Sequence, residues 1–256
     1  KFTPISKSID DLIKLGALDD LTRKFLRAAI RDRKNILISG GAGSGKTTLL
    51  NCLSAFIPKT ERIVVIEETS ELALQQPHVI PMETAQSDAP DGETFDIRRL
   101  VKTALRLRPD RIIIGEVRGE EALDLIQAMS VGHAGSMATL HASSPLQALL
   151  RLETLLLMAK LDLPISAIRG QIASTLDLVL QTERLSNGTR RVTHVSEVLE
   201  PNEHGQYQLR HLIRYKVTNL GAGIPAVGRH HPVIRPTFSI AMEEKGLMNF
   251  DEFPYE

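Results

Sequence analysis

Cysteine is nearly absent from this sequence: Cys52 stands alone among 256 residues. That excludes a disulfide framework and a multi-cysteine zinc site, and it fits a reducing compartment. Net charge is missing as well. Lys and Arg together number 31, and so do Asp and Glu, so no basic field advertises nucleic acid and no acidic tail is present. No apolar run reaches the roughly 18 residues of a membrane span, so no transmembrane helix is expected. The longest apolar stretch, Leu149 to Leu163, is broken by Arg151, Glu153, Lys160 and Asp162. No signal peptide is read in the opening residues, and the first residue is Lys1 rather than Met, so the chain is expected to start partway into a longer or processed protein. What is present is an ordinary supply of core-forming residues, 42% hydrophobic against 24% charged. That composition argues against disorder and allows one or two domains.

The apolar residues fall into two kinds of pattern. Ile36–Ile38, Ile63–Ile66 and Ile112–Ile114 are short β-branched runs without alternation, which read as strands buried on both faces. Between them lie helical patterns. Ile97, Leu100, Val101, Ala104 and Leu105 form a stripe at helical spacing inside Asp96 to Leu107, stopped by Pro109. Further helices are read over Leu21–Ile30, Lys46–Phe56 and Glu120–Met129, and from the Ser144 cap and Pro145 to about Met158. Strands alternating with helices predict a mainly parallel sheet covered by helices. After Pro164 the pattern changes. A short helix (Ile165–Ser174) precedes strands at Leu176–Thr182 and Arg190–Val198, joined by the turn Ser186-Asn187-Gly188-Thr189, with a further strand at Tyr207–Tyr215. The last forty residues, with Gly221, Gly223, Pro225, Pro232 and Pro236, read as loop-rich and end in a short helix.

One segment carries specific chemistry. Gly40-Gly41-Ala42-Gly43-Ser44-Gly45-Lys46-Thr47 matches the phosphate-binding pattern G-x-x-x-x-G-K-[ST]. Its glycines let backbone N–H groups surround phosphate oxygens, and the helix that follows points its positive end at the same anion. Lys46 supplies charge to the β- and γ-phosphates, and the Thr47 hydroxyl can ligate Mg²⁺. Thr48 continues the nucleotide-binding segment. The motif sits between a predicted strand and a predicted helix, the context it requires.

Acidic residues follow at the carboxyl ends of predicted strands, where ligands gather in open parallel sheets. Glu67, Glu68 and Glu71 follow Ile63–Ile66, and Glu116 follows Ile112–Ile114 after Gly115. A carboxylate there can reach a metal or a water beside the γ-phosphate. His133 and His141 bracket a segment of small residues, with a strand read at Ser136–Leu140. Each histidine alone is more often a hydrogen-bonded structural residue, and their spacing is not that of a zinc pair on one helical turn.

Four blocks together make the chain resemble the ATPases of type II and type IV secretion systems. They are the P-loop, Ile66-Glu67-Glu68-Thr69-Ser70-Glu71 (that family's Asp box), Arg108 to Arg118 (its Walker B segment) and Gly132 to His141 (its His box). Within that superfamily the sequence is most similar to the CpaF/TadA branch, which powers tight-adherence pili, on Arg-Pro-Asp-Arg before Ile112, Gly-Glu-Val-Arg-Gly after Ile114, Leu163-Pro164, Ile172-Ala173-Ser174 and Arg190-Arg191-Val192-Thr193-His194. The resemblance runs from about Phe2 to the tail. One departure stands out: Glu67-Glu68 occupies a place where the family usually has Glu-Asp, which keeps the carboxylate and lengthens it by a methylene.

The resemblance implies a RecA-like P-loop core that hydrolyses ATP with Mg²⁺. It implies that Glu71 is the general base, that Glu116 acts on Mg²⁺ directly or through its waters alongside Thr47, and that His141 senses the γ-phosphate or couples it to a neighbouring subunit. It implies a homohexameric ring at the cytoplasmic face of a bacterial or archaeal inner membrane, working on a membrane platform protein, with no direct contact to nucleic acid. Arg98, Arg99, Arg106 and Arg118 are available to complete a neighbour's site. Family members carry an upstream domain that helps to form the subunit interface. The expected organisation is lead-in helices over 1–30, the ATPase core over 31–183, and a C-terminal hairpin with a loop-rich tail packed on the core over 184–256. Two rival functions remain open: a conjugation or DNA-transport ATPase of the same superfamily, and a nucleotide-gated scaffold with little turnover.

Overall fold

The computed structural model describes residues 8–85, 94–159, 163–219 and 227–254. Two helices lead in, each started by an acidic or hydroxyl cap. α1 (Ile9–Lys14) has a capping box between Ser8 and Asp11, and α2 (Asp20–Arg31) is capped by Asp19, whose carboxylate accepts the Thr22 N–H. The chain then alternates: β1 (Ile36–Gly40), α3 (Lys46–Ser54), β2 (Ile63–Glu67), β3 (Val79–Glu83), α4 (Ile97–Leu105), β4 (Arg111–Ile114), α5 (Glu121–Ser130), β5 (Met137–Leu140), α6 (Pro145–Met158), α7 (Ile165–Thr175) and β6 (Leu178–Arg184). Asp96 and Ser144 cap α4 and α6 through their side chains, with Pro145 in the first turn of α6. The remainder is β7 (Arg190–Leu199), β8 (Gln208–Asn219), β9 (Val227–Pro232) and α8 (Ser239–Glu244).

The nine strands of the described residues form one sheet in the order β3-β2-β4-β5-β1-β6-β7-β8-β9. From β3 to β6 every pairing is parallel, and from β6 onward every pairing is antiparallel. β1 is therefore the middle strand and marks where the parallel half approaches its end.

The short apolar runs serve both faces of the sheet. Leu37, Val64, Ile66, Ile112, Ile114, Ala138 and Val179 enter one core, under α4 to α7. Ile36, Ile38, Ile63, Val65, Ile113, Met137 and Leu178 enter the other, under α1 to α3 and the C-terminal segment. Successive strand residues point to opposite faces, so a strand covered on both sides has no polar position to spare. Phe250 and Phe253, both buried, close the second core against Phe25 of α2, with ring centroids 6.2 and 5.9 Å from it.

Two strands lie outside those that the sequence reading assigns. β3 contains Pro81 and is only partly buried; it is an edge strand, where a missing N–H is tolerated. β9 is the opposite edge, paired with β8 from Ile213–Pro232 to Asn219–Val227, in a stretch that composition assigns to loop. The readings on Phe2, Pro4, Lys160, Asp162, Gly221, Gly223 and Pro225 lie outside the described residues.

Candidate functional site

The site begins at the carboxyl end of the middle strand. β1 runs into the loop 41–45, and the loop opens α3, so Gly40 to Thr48 form one strand–loop–helix turn. Gly45 is the N-cap of α3 with φ +100°, a conformation that side chains resist, and it places no side chain over the helix end. The first N–H groups of α3 therefore meet the loop without a side-chain cap, which suits an anion. Lys46 is buried, and its Nζ turns back to donate to the Gly41 carbonyl at 3.2 Å. Burial holds the Lys46 pKa below the usual lysine value, and the Glu116 carboxylate opposes that shift. From the antiparallel half, Ser44 Oγ meets Thr182 Oγ1 at 2.8 Å, and Arg190 Nε donates to the Gly43 carbonyl at 2.7 Å.

The neighbouring parallel strands bring the acids. A cavity of about 140 Å³ is lined by Thr47, Glu67, Glu68, Glu71, Glu116 and Arg118, among others. Glu116 Oε2 accepts from Arg118 Nη2 at 2.7 Å, and Arg118 Nη1 donates to Glu68 Oε2 at 2.6 Å. His141 follows β5, with its ring nitrogens 3.4 and 3.5 Å from Lys46 Nζ and its Nε2 2.7 Å from Glu116 Oε1. That close pair lacks hydrogen-bond alignment: Glu116 Oε1 is buried and accepts no hydrogen bond among the described residues. Burial, then the Lys46 charge, hold the His141 pKa below 6.5, against the pull of Glu116. Lys46, His141, Glu116, Arg118 and Glu68 thus form one chain of polar contacts across the sheet edge.

This arrangement fits a hydrated Mg²⁺ ion. Mg²⁺ takes one or two protein oxygens and fills its remaining positions with water and phosphate. Thr47 and Glu116 line the same cavity, and one Glu116 carboxylate oxygen accepts no hydrogen bond among the described residues, a set that meets that demand. A second cavity, about 260 Å³, lies beside Ser44 and Thr48 and is lined by Leu12, Leu15 and Leu49 together with Gly188, Arg190 and Arg191 of the β6–β7 turn and β7.

The structure brings Glu71, Glu116 and His141 to the same edge as the P-loop, with Glu71 exposed at the cavity rim. It does not bring His133. That ring donates through Nδ1 to the Pro109 carbonyl at 2.9 Å, at the opposite, amino-terminal ends of β4 and β5. The Arg111 guanidinium is there too, fully buried against Glu61 and the Gly135 carbonyl. Of the four candidate arginines, Arg118 lines the acidic cavity. Arg98 pairs instead with Glu120 and Asp124, Arg99 lies over the Phe95 ring, and Arg106 is exposed on the far end of α4. The parts that the sequence did not disclose are Thr182 and Arg190, more than 130 residues from the loop that they touch, and the buried role of Glu67. No helix among the described residues is long and apolar enough to cross a membrane.

Comparison with known proteins agrees with this geometry. Residues 2–213 match the family model described as type II/IV secretion system protein. The conjugal transfer protein TrbB of Rhizobium radiobacter is 37% identical over 206 residues, covering 79% of this chain and 60% of its own. The type IV secretion system protein PtlH of Bordetella pertussis is 42% identical over 182 residues, covering 69% and 52%. The crystal structure of the VirB11 ATPase from the Brucella suis type IV secretion system, in complex with sulphate, superposes with a TM-score of 0.60 at 29% identity, over 76% of this chain and 58% of that one. The chain spans about half the length of the curated relatives it matches. The helix-covered, mainly parallel sheet expected from the strand–helix alternation and the RecA-like α/β fold that the resemblance implies are the fold observed, and the chain belongs to the type II/IV secretion system protein family.

Proposed function

We propose that this chain is the ATP-hydrolysing part of a secretion-type motor, working with Mg²⁺ in a homohexameric ring. The observation that carries the reading is the chain of polar contacts from Lys46 through His141 and Glu116 to Arg118, which ties the Gly40–Thr47 loop to an acid-lined cavity. Hydrolysis of this kind is mostly positioning and charge stabilisation. The α3 N-terminus and Lys46 hold the phosphates, and the second cavity takes the nucleoside. Thr47 and Glu116, the latter directly or through water, would hold Mg²⁺, which would supply positive charge beside the phosphate oxygens. Glu71 orients the attacking water and accepts its proton. A neutral His141, in contact with both Lys46 and Glu116, responds when phosphate changes the charge between them.

The ring would act at the cytoplasmic face of an inner membrane, on a platform protein, without touching nucleic acid directly. Two outputs stand level. The CpaF/TadA-like blocks support assembly or retraction of a tight-adherence pilus. Relatives named for conjugal transfer and type IV secretion support a conjugation or DNA-transport machine. Steady-state phosphate release with Mg²⁺ and ATP tests the enzyme reading against the scaffold. Turnover that vanishes in Lys46→Ala is the expected result. Tight ATP binding with no release above background would overturn it.

A further inference from the structure

The segment that carries Glu71 has no secondary structure of its own between β2 and β3, and Glu71 itself is exposed. Its place is fixed by hydrogen bonds from two sides. On one side stands Glu67, the last residue of β2 and only 6% exposed. Its Oε1 accepts the N–H of Glu71 at 3.1 Å and the N–H of Leu72 at 3.1 Å. Gly115 gives the Glu67 stem its room, because a Cβ there would stand 2.9 Å from Glu67 Cγ. On the other side stands α3. Asn51 Oδ1 accepts the Ala73 N–H at 2.9 Å, and the Ser54 carbonyl accepts from Gln76 Nε2. Asn51 lies one helical turn beyond Thr47, on the helix whose first turn faces the phosphates.

We infer that Glu67 and Asn51 are positioning residues that hold the Glu71 backbone in register with the P-loop helix. Glu67 is the most buried acid of the cavity, yet its Oε1 is turned to the backbone. The bonds through Asn51 and Ser54 make any shift of α3 on loading nucleotide a shift of the Glu71 segment too. A proton acceptor must come within about 3 Å of its water, and a displacement of about 1 Å can cost a hundredfold in rate. The inference rests on Glu71 being the water-activating carboxylate. It assigns the neighbouring acid a different task and adds a residue that lies outside the family's motif blocks.

The test uses the 256-residue chain, with steady-state turnover and amide hydrogen exchange measured on the same variants. Glu67→Gln and Asn51→Asp keep an oxygen acceptor; Glu67→Ala and Asn51→Leu do not. Glu67→Ala and Asn51→Leu are expected to lower kcat by about tenfold to a hundredfold, with KM for ATP little changed. Exchange at Glu71, Leu72 and Ala73 should quicken in the same two variants. Glu67→Gln and Asn51→Asp should restore both readouts. If Glu67→Ala does not fold, the partly exposed Asn51 pair carries the test. Glu67→Gln as inactive as Glu67→Ala would overturn the inference and make Glu67 the proton acceptor. Faster exchange with unchanged kcat would also overturn it. Turnover surviving in Glu71→Gln would sink the reading of Glu71 instead, and the exchange data would still report whether the segment is held by Glu67 and Asn51.

Discussion

At the scale of single residues, the cavity places its carboxylates differently: Glu67 turns its Oε1 to the backbone, Glu116 meets Arg118, and Glu71 is exposed at the rim. Glu71→Gln keeps the shape of the side chain but cannot take a proton. It is expected to retain ATP affinity and to lose turnover by about a hundredfold or more, measured by phosphate release against a binding titration. Glu116→Gln should lose turnover too, and recover part of it as Mg²⁺ is raised, because its buried Oε1 is the oxygen left without a donor. Much of this was legible in the sequence. The P-loop is contiguous, and Glu71, Glu116 and His141 each follow an apolar run, so the parallel-sheet rule alone puts them on one edge. His133 shows the limit. It precedes the β5 strand while His141 follows it, so the two rings stand at opposite ends of the sheet, although both flank the same small-residue segment. Glu67 was illegible for another reason: nothing in a Glu-Glu pair says which carboxylate turns inward to the backbone.

Among the elements, β7 carries His194, β8 carries His211 and β9 carries His230 beside His231. Burial holds the pKa values of His194, His211 and His230 below 6.5. The rings of His194 and His211 lie 5.1 Å apart near Arg214, which adds to the shift of both. For His230, Asp19 and the bond to the Val192 carbonyl pull the other way, while Arg191 and His231 reinforce burial. A lowered native pKa means that the unfolded chain binds more protons in this range. The stability these groups contribute is therefore present above pH 6.5 and is lost as pH falls through their lowered native values. Amide exchange, corrected for its intrinsic pH dependence, should quicken across β7 to β9 below pH 6.5 before it does so in β1 and β2. His211→Gln should weaken that trend. The strands that escaped the sequence reading are the edges β3 and β9. Edge strands need neither continuous apolar burial nor a full set of N–H donors, so Pro81 and the loop-like composition around Pro232 hide them, whereas the central runs are exposed by their own greasiness.

For the molecule as a whole, the middle position of β1 matters most. The P-loop receives carboxylates from the parallel half and Thr182 and Arg190 from the antiparallel half, so both halves must be in place to shape it. The second core is closed by distant aromatics. Phe250→Ala should cost about 3–5 kcal/mol, read as a lower urea midpoint at an unchanged slope. Loss of less than about 1 kcal/mol would show that the segment around Phe250 packs loosely on α2.

That aromatic closure also sets a clock. Phe25 leaves the ribosome more than 200 residues before Phe250 and Phe253, its partners. At roughly 5–20 residues per second, translation leaves the inner face of α2 uncovered for about ten seconds or longer. During synthesis that helix is a sticky, half-finished surface until Phe250 and Phe253 have emerged to cover it.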